Sequence, residues 1–410
     1  PTDGMEVLRR VPGANVRYQD AAGLTMNLGF RGISNEVSRK ILVLEDGLFT
    51  SLNPYGEPEM YYAPSIERME RVEIVKGSGS ILFGPSTIGG VVNFITRKPP
   101  KDPTLSLQAI GGENGYVSNM VNYGGTFGNT GFDINVLRKQ GDGFRNHQGF
   151  WVNEANLKTT HQLTDKHSIT TKVGFHQQES QATYIGLTNG MYQHNPKDNP
   201  AENDKRTIER YSFSLGHEWT LSDHARLITR VYSAYTQRNW ARQEYTRNSS
   251  RTTARPTDTL NTFDGEPYTS RLGDTVWMRG TNAHRDRTYK FYGIETKLQF
   301  EFDTASIKHE IDTGIRYHFD SARAQLLTGP RTYDAVLFPN GPGTTPIVPI
   351  ESRTSLSKSG DLRDDEQRNA KAISVYIQDR IRLTDKFAII PGVRYESFSQ
   401  SRLMMRGRQN

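Results

Sequence analysis

The chain has 410 residues, of which only 34% are hydrophobic, and its mean hydropathy is −0.68. No apolar run approaches the ~20 residues a spanning helix needs, which excludes a helical membrane protein but not a β-barrel, where only alternate residues face lipid. There are no cysteines, so disulfide frameworks and thiolate metal sites are excluded too. The formal charge of +6 does not point to nucleic acid: residues 1–100 balance 11 Lys/Arg against 11 Asp/Glu, and no basic cluster is interleaved with aromatics.

In chain order, a short helix is expected near Met5 to Arg10, stopped before Pro12. Ser65 is placed to cap a second short helix, Ile66 to Arg71, and Val72 to Val75 alternates like a strand. Gly77, Gly79 and Gly84 punctuate the next segment, and Gly89-Gly90 opens another apolar strand, Val91 to Ile95. Glycines this dense mark a backbone that turns tightly or passes close to something else. They do not make a nucleotide loop, because Leu82 stands where a dinucleotide fingerprint needs glycine and no Gly-Lys-Ser/Thr comes after it. The linker Pro99-Pro100-Lys101-Asp102-Pro103 suits neither a helix nor a central strand.

From Thr104 the pattern changes to period two. In Ile307 to Asp320 the odd positions run Ile, His, Ile, Thr, Ile, Tyr, Phe, while the even ones carry Lys308, Glu310, Asp312, Arg316 and Asp320. Similar runs are predicted as strands near 104–112, 116–127, 131–140, 150–162, 167–180, 207–221, 224–239, 287–303, 306–320, 369–383 and 386–400. They are roughly 12–16 residues long, against about 5–6 for an ordinary strand and ~9–11 for a tilted membrane strand. Short connections (128–130, 164–166, 222–223, 304–305, 384–385) alternate with mostly long ones (181–206, 240–286, 321–368). Short turns on one side and long loops on the other are the pattern of an outer-membrane barrel.

Four blocks in residues 1–100 resemble the plug domain of TonB-dependent outer-membrane receptors. They are Arg31-Gly32 with Val43-Leu44-Glu45-Asp46-Gly47; Glu70-Arg71-Val72-Glu73 to Gly77; Phe83-Gly84; and Gly89-Gly90-Val91-Val92-Asn93-Phe94-Ile95-Thr96. The stretch Asn53-Pro54-Tyr55-Gly56-Glu57-Pro58-Glu59, followed by Ala63-Pro64, is most similar to the ferric dicitrate branch. The resemblance implies a mainly β protein: an N-terminal α+β plug domain (1–100) followed by a transmembrane antiparallel β-barrel (101–410). About 11 of an expected 22 strands would be present. Family members carry a signal peptide and a TonB-contact segment in front and usually end on an aromatic residue, so the chain is expected to be an internal piece truncated at both ends.

No enzyme is expected: there is no HExxH, and Ser86 sits in a segment one residue too long for a nucleophile elbow. The resemblance implies import of a ferric chelate across the outer membrane of a Gram-negative bacterium, energised by the TonB complex in the periplasm. Partners would be the chelate, TonB and outer-membrane lipid, with no nucleic acid. Iron would enter as a chelated substrate, with no cofactor and no resident metal site. Cobalamin or a nickel chelate as ligand, or a role mainly in signalling or adhesion, stay open.

Candidate ligand-binding residues are Asn53, Tyr55 and Glu57 in the plug, and Arg247, Arg255 and Arg271 in the long 240–286 connection. That connection holds seven arginines and no lysine, which suits recognition of carboxylates. Six acidic residues in the same stretch offer local pairing, and Glu57 and Glu59 would repel a polyanion unless neutralised. Arg31, Arg71 and Arg97 are expected to form plug–barrel ion pairs with inward carboxylates such as Glu218, Glu295 or Asp312.

Overall fold

A computed structural model describes residues 3–181, 192, 195–197, 199, 204–246, 275–305, 307–328, 336–337 and 361–406. In the N-terminal part, α1 (Gly4–Arg9) begins where Asp3 Oδ1 accepts from Glu6 N at 2.9 Å, an N-cap that satisfies a free first-turn donor. Strands β1 (Ala14–Val16) and β2 (Leu28–Phe30) form a small antiparallel ribbon. Strands β3 (Ile41–Glu45), β4 (Leu48–Phe49), β5 (Met69–Val75) and β6 (Gly90–Thr96) form a second sheet in the order β4-β3-β6-β5. Met5, Leu8, Met26, Phe30, Val43, Met60, Val92 and Phe94 pack between the helix and this sheet.

Two motif positions are explained by backbone geometry. Asp46 (φ 49°) and Gly47 (φ 80°) are the two loop residues of the β3–β4 hairpin. Such a turn needs positive φ at both places, which Asp-Gly tolerates. At Gly90 (φ 132°) an added Cβ would lie 2.7 Å from the Val75 carbonyl oxygen, so only glycine lets β6 enter between β3 and β5.

One local expectation is corrected. Residues 66–71 are not a helix: Ile66–Arg68 is a single 3-10 turn, β5 starts at Met69, and Ser65 makes no capping bond. Pairing of Met69–Val75 with β6 claims those residues, and the Ser65 hydroxyl instead donates to Glu154 at 2.7 Å.

The rest is one antiparallel sheet. Its strands are β7 (Thr104–Gly111), β8 (Val117–Phe127), β9 (Thr130–Gly141), β10 (Phe150–Thr164), β11 (His167–Ser180), β12 (Lys205–Ser222), β13 (Ala225–Thr246), β14 (Thr275–Thr304), β15 (Ile307–Thr328), β16 (Val336–Leu337), β17 (Asp361–Thr384), β18 (Phe387–Ile389) and β19 (Gly392–Arg406). The long strands pair with their sequence neighbours from β7 to β15, and β15 pairs with β17. β18 and β19 both pair with β17; they are one span broken at Ile390-Pro391, where proline has no N–H to give the ladder. That makes eleven spans among the described residues, in a barrel that is not closed.

The sheet wraps the N-terminal part with an inside-out distribution of side chains. Val121, Val136, Val173, Phe213, Ile294, Ile315 and Val375 point outward and are exposed, while Glu154, Arg206, Arg238, Glu295, Arg316 and His318 point inward and are buried. An exposed apolar band around a polar interior is what lipid outside and a filled lumen require.

The strands are longer than periodicity alone indicates. β13 runs on to Thr246, β14 starts at Thr275, β15 reaches Thr328 and β17 starts at Asp361. The expected 240–286 and 321–368 connections therefore begin and end as strand. Beyond the apolar band, outward residues such as Gln237, Asn239, Ser321 and Arg323 are polar like their inward neighbours, so the alternation that marks a strand disappears.

Candidate functional site: an arginine-lined vestibule above the plug

The loop between β4 and β5 projects from the plug toward the barrel wall. Asn53 is buried and shapes its turn: its carbonyl accepts from Glu57 N at 2.9 Å and its Oδ1 from Gly56 N at 3.3 Å. Tyr55 is gripped by the wall. Its N–H donates to Asp320 Oδ2 (2.8 Å), its hydroxyl to Glu396 Oε1 (2.5 Å), and its carbonyl accepts from Gln400 Nε2 (2.5 Å). The rings of Phe49, His318 and Phe398 surround it. Burial, and after it the Glu396 carboxylate, push the Tyr55 phenol well above its ordinary pKa.

Glu57 is paired with Arg287 and lies 4.0 Å from Arg368. Glu59 binds Arg39 at 2.5 Å and sits 4.0 Å from Arg287. Burial opposes ionisation of Glu59, but the Arg39 hydrogen bond and the Arg287 charge outweigh it and hold the carboxyl below its usual range. The two carboxylates that would repel an anion are thus matched by arginines. Arg247, Arg255 and Arg271 lie outside the described residues.

Above Glu59 opens a cavity of about 860 Å³. The plug lines it with Arg17, Tyr18, Asp20, Glu36, Arg39, Glu59 and Tyr61. The 142–149 connection adds Phe144 and Arg145, β13 adds Arg238, Trp240 and Arg242, and β14 adds Arg285 and Arg287. Among the described residues seven guanidinium groups line the cavity against three carboxylates, so this part of the lining carries an excess of positive charge. Residues 238, 240 and 242 share one face of β13 because strand side chains alternate, and β14 sets Arg287 opposite Arg238 and Arg285 opposite Trp240. Aromatic rings interleave the cations: Arg238 lies 4.1 Å from the Tyr61 ring centroid, Arg242 4.9 Å from that of Trp240, and the two rings are 6.3 Å apart.

Of these, Arg242 and Arg285 belong to the arginine-rich stretch singled out in the sequence. Arg17, Arg39, Arg145, Arg238 and Arg287 were missed there. The Arg-x-Trp-x-Arg of β13 was the signal available, once the strand is known to continue past residue 239.

Below the vestibule, ion pairs join plug to barrel, and not at the expected arginines. Arg71 is exposed on edge strand β5 and pairs with Glu70 and Glu73 beside it. Arg97 donates to the Glu67 carbonyl, and Arg31 is exposed in a turn at φ 53°. Glu218 pairs with Arg226 of the barrel, and Asp312 accepts from Gln299. Glu295 holds Arg316 at 2.8 Å, whose other nitrogen donates to the plug carbonyl of Phe83.

The plug–barrel pairs are carried instead by Arg68 and the β3–β4 hairpin tip. Arg68 reaches Glu154 (3.0 Å) on β10 and Glu45 (2.5 Å) within the plug. Lys172 bonds Glu45 (3.0 Å) and Asp46 (2.6 Å), Lys158 lies 3.4 Å from Asp46, and Arg230 donates to the Asp46 carbonyl. Lys139–Glu67 and Arg206–Asp20 add two more. These residues lie within reach of wall side chains, whereas Arg31 and Arg71 are exposed and Arg97 is turned to the Glu67 carbonyl.

Eleven long spans around a plug, apolar outside and charged within, define a plugged transmembrane β-barrel. The chain belongs to the TonB-dependent receptor family: the TonB-dependent Receptor Plug Domain matches residues 1–91 and the TonB dependent receptor-like β-barrel matches residues 107–403. This is a family of outer-membrane receptors and transporters rather than of enzymes.

Among solved structures, the chain is similar to the unliganded ferric citrate transporter FecA, with 22% identity and a TM-score of 0.76 over 99% of this chain and 55% of that one. It is also similar to the ferric-catecholate import receptor Fiu of E. coli K12 (16%, TM-score 0.74, 98% and 58%). The pyoverdine-bound FpvA of P. aeruginosa is a third likeness (14%, TM-score 0.75, 99% and 51%). A curated relative, the vitamin B12 transporter BtuB of Photobacterium profundum, is 32% identical over 140 residues, or 34% of this chain and 22% of that protein. The chain thus spans about half the length of the structures it matches and less of the curated relative.

Proposed function

We propose that the protein imports an anionic ferric chelate, a ferric citrate-like complex or a siderophore, across the outer membrane of a Gram-negative bacterium. Energy comes from the TonB complex in the periplasm, lipid contacts the outward apolar band, and iron arrives as part of the substrate with no cofactor involved. The observation that carries this reading is the vestibule lined by seven arginines, with Glu59 in its lining held by Arg39 and Glu57 beside it paired with Arg287. Guanidinium groups form charge-assisted, bidentate hydrogen bonds with carboxylate oxygens. Asn53, Tyr55 and Glu57 shape the plug loop beside the vestibule, and Arg247, Arg255 and Arg271 are assigned to the same binding set. A corrinoid, suggested by the relative named a vitamin B12 transporter, carries a single phosphodiester and asks for far less positive charge.

The test is a fluorescence titration of the purified receptor with ferric citrate, citrate alone and cobalamin, repeated with Arg247→Ala and Arg255→Ala together. Saturable quenching by ferric citrate, weakened by the substitutions, supports the reading. Response to cobalamin alone replaces it with corrinoid import.

A further inference from the structure

Outward charge is distributed unevenly between the two ends of the spans. At the short-turn end, among the described residues, the spans point no lysine or arginine outward; His161, His167, His217 and His309 stand there instead. At the long-loop end Arg138, Lys205, Lys290, Arg323 and Lys371 point outward, on the same strand faces as the apolar band and above it. Three of these are already engaged. Arg138 is held by Asn153, Gln140 and the Trp151 ring, Lys205 by Glu179, and Arg323 by Asp365. Lys290 and Lys371 are exposed, and neither has a carboxylate partner among the described residues.

The two lysines flank one patch. Lys290 of β14 stands opposite Ser321 of β15, which stands opposite Asn369 of β17, and Lys371 lies two residues from Asn369 toward the band. At ordinary strand spacings their Cα atoms are about 12 Å apart. Between them the rings of Tyr292 and Phe319 stack with centroids 5.0 Å apart. Directly below, Ile294, Ile315, Tyr317 and Ile373 continue the exposed apolar surface. The outward carboxylates nearby are committed: Asp365 to Arg323 and Gln325, and Glu209 to the Tyr211 hydroxyl. Free cations over aromatic rings over aliphatic side chains repeat, in order, the phosphate, linking groups and acyl chains of an anionic lipid.

We propose that Lys290 and Lys371 form a binding site for an outer-leaflet lipid that carries two phosphate groups. Its linking groups rest on Tyr292 and Phe319, and its acyl chains lie on the aliphatic surface below. The site rests on the reading of the spans as outer-membrane strands with the long loops outside, and not on which chelate is imported. Each ammonium is a compact point charge with three donors, suited to one phosphate. A lipid gains from both the lysine charge and the buried apolar area, whereas free phosphate gains from the charge alone.

The experiment uses receptor purified from outer membranes, stripped of bound lipid by detergent exchange and shown to be a folded barrel by heat-modifiable electrophoretic migration. Native mass spectrometry then measures binding of diphosphoryl lipid A, monophosphoryl lipid A and phosphatidylcholine, with inorganic phosphate as competitor. The proteins are the unaltered receptor, Lys290→Gln with Lys371→Gln, and Lys290→Arg with Lys371→Arg. Diphosphoryl lipid A is expected to bind the unaltered receptor most tightly. The glutamine pair is expected to weaken it about 30-fold, roughly 5-fold per lysine, and to leave phosphatidylcholine within about 2-fold because that lipid has no net charge to lose. The arginine pair keeps the charge and is expected to bind diphosphoryl lipid A within about 2-fold of the unaltered protein. Ferric citrate binding is expected to be the same in all three, since both lysines point away from the lumen.

Undiminished binding of diphosphoryl lipid A to the folded glutamine variant overturns the site. So does equally tight binding of phosphatidylcholine to the unaltered receptor, which marks a purely apolar contact. Loss of binding in the arginine variant also overturns it, because the charge is then not what matters. Displacement of the lipid by inorganic phosphate at equal concentration replaces the lipid with a free anion. None of these outcomes bears on chelate import, and a receptor that binds no ferric citrate leaves the lipid site standing.

Discussion

Arg68 shows what a single side chain contributes when the lumen is filled with charge. It is 2% exposed and sits between Glu45 and Glu154, with the Tyr62 hydroxyl on its third side. Removing one member of such a buried group leaves the others uncompensated, which typically costs about 3–5 kcal/mol. Arg68→Met is expected to lower plug docking stability by that amount, read as an earlier plug transition in a denaturant titration. Adding Glu154→Gln should recover part of it, because the two residues are coupled. Tyr55→Phe, which removes only the hydroxyl bonded to the Glu396 carboxylate, is expected to cost about 1.5–3 kcal/mol in the same titration. At this scale the sequence was partly legible. The motif blocks located Asp46, Gly47 and Gly90 correctly because turn geometry is local. It misjudged which arginines pair with the wall, since Arg68 and Arg71 differ only in which face of a short strand or turn they occupy.

Strands carry a second lesson about what a sequence displays. Eleven spans and their short turns were readable because the apolar band forces strict alternation, as in Ile307 to Phe319 on the outward face of β15. The upper reaches of β13 to β17 were not, since water replaces lipid there and nothing selects apolar residues at every second place. The Arg-x-Trp-x-Arg face of β13 was hidden for this reason. The boundary between the two regimes is measurable. Ile315→Arg, in the band, is expected to destabilise the barrel by about 2–4 kcal/mol, while Gln237→Arg, outward on β13 above the band, is expected to stay within about 0.5 kcal/mol. Unfolding of the purified receptor reconstituted in lipid vesicles checks both; equal effects would remove the assignment of the band to lipid.

For the whole molecule, the docking of plug against barrel depends on ionised carboxylates. Burial alone would raise the pKa of Glu45, but Arg68 and Lys172 outweigh it and hold it well below the carboxylate range. Asp46 is likewise lowered: burial is the largest influence, and Lys172 and Lys158 overcome it. A carboxyl depressed in the docked state binds its proton more weakly there than when released. Its contribution is therefore complete above the ordinary carboxylate pKa of about 4 and is lost as pH falls through the depressed value. The hairpin tip should accordingly stay locked from neutrality down to about pH 4 and loosen below it. Planar-bilayer conductance reads this directly, because a released tip opens the space between the plug and β10, β11 and β13. The receptor is expected to be silent at pH 7 and to show channel openings only in strong acid. Asp46→Asn, which removes the charge that Lys158 and Lys172 share, is expected to show openings at higher pH than the unaltered protein. Identical pH profiles for the two would mean that the lock lies elsewhere on the plug, with the Arg206–Asp20 and Lys139–Glu67 pairs the next to remove.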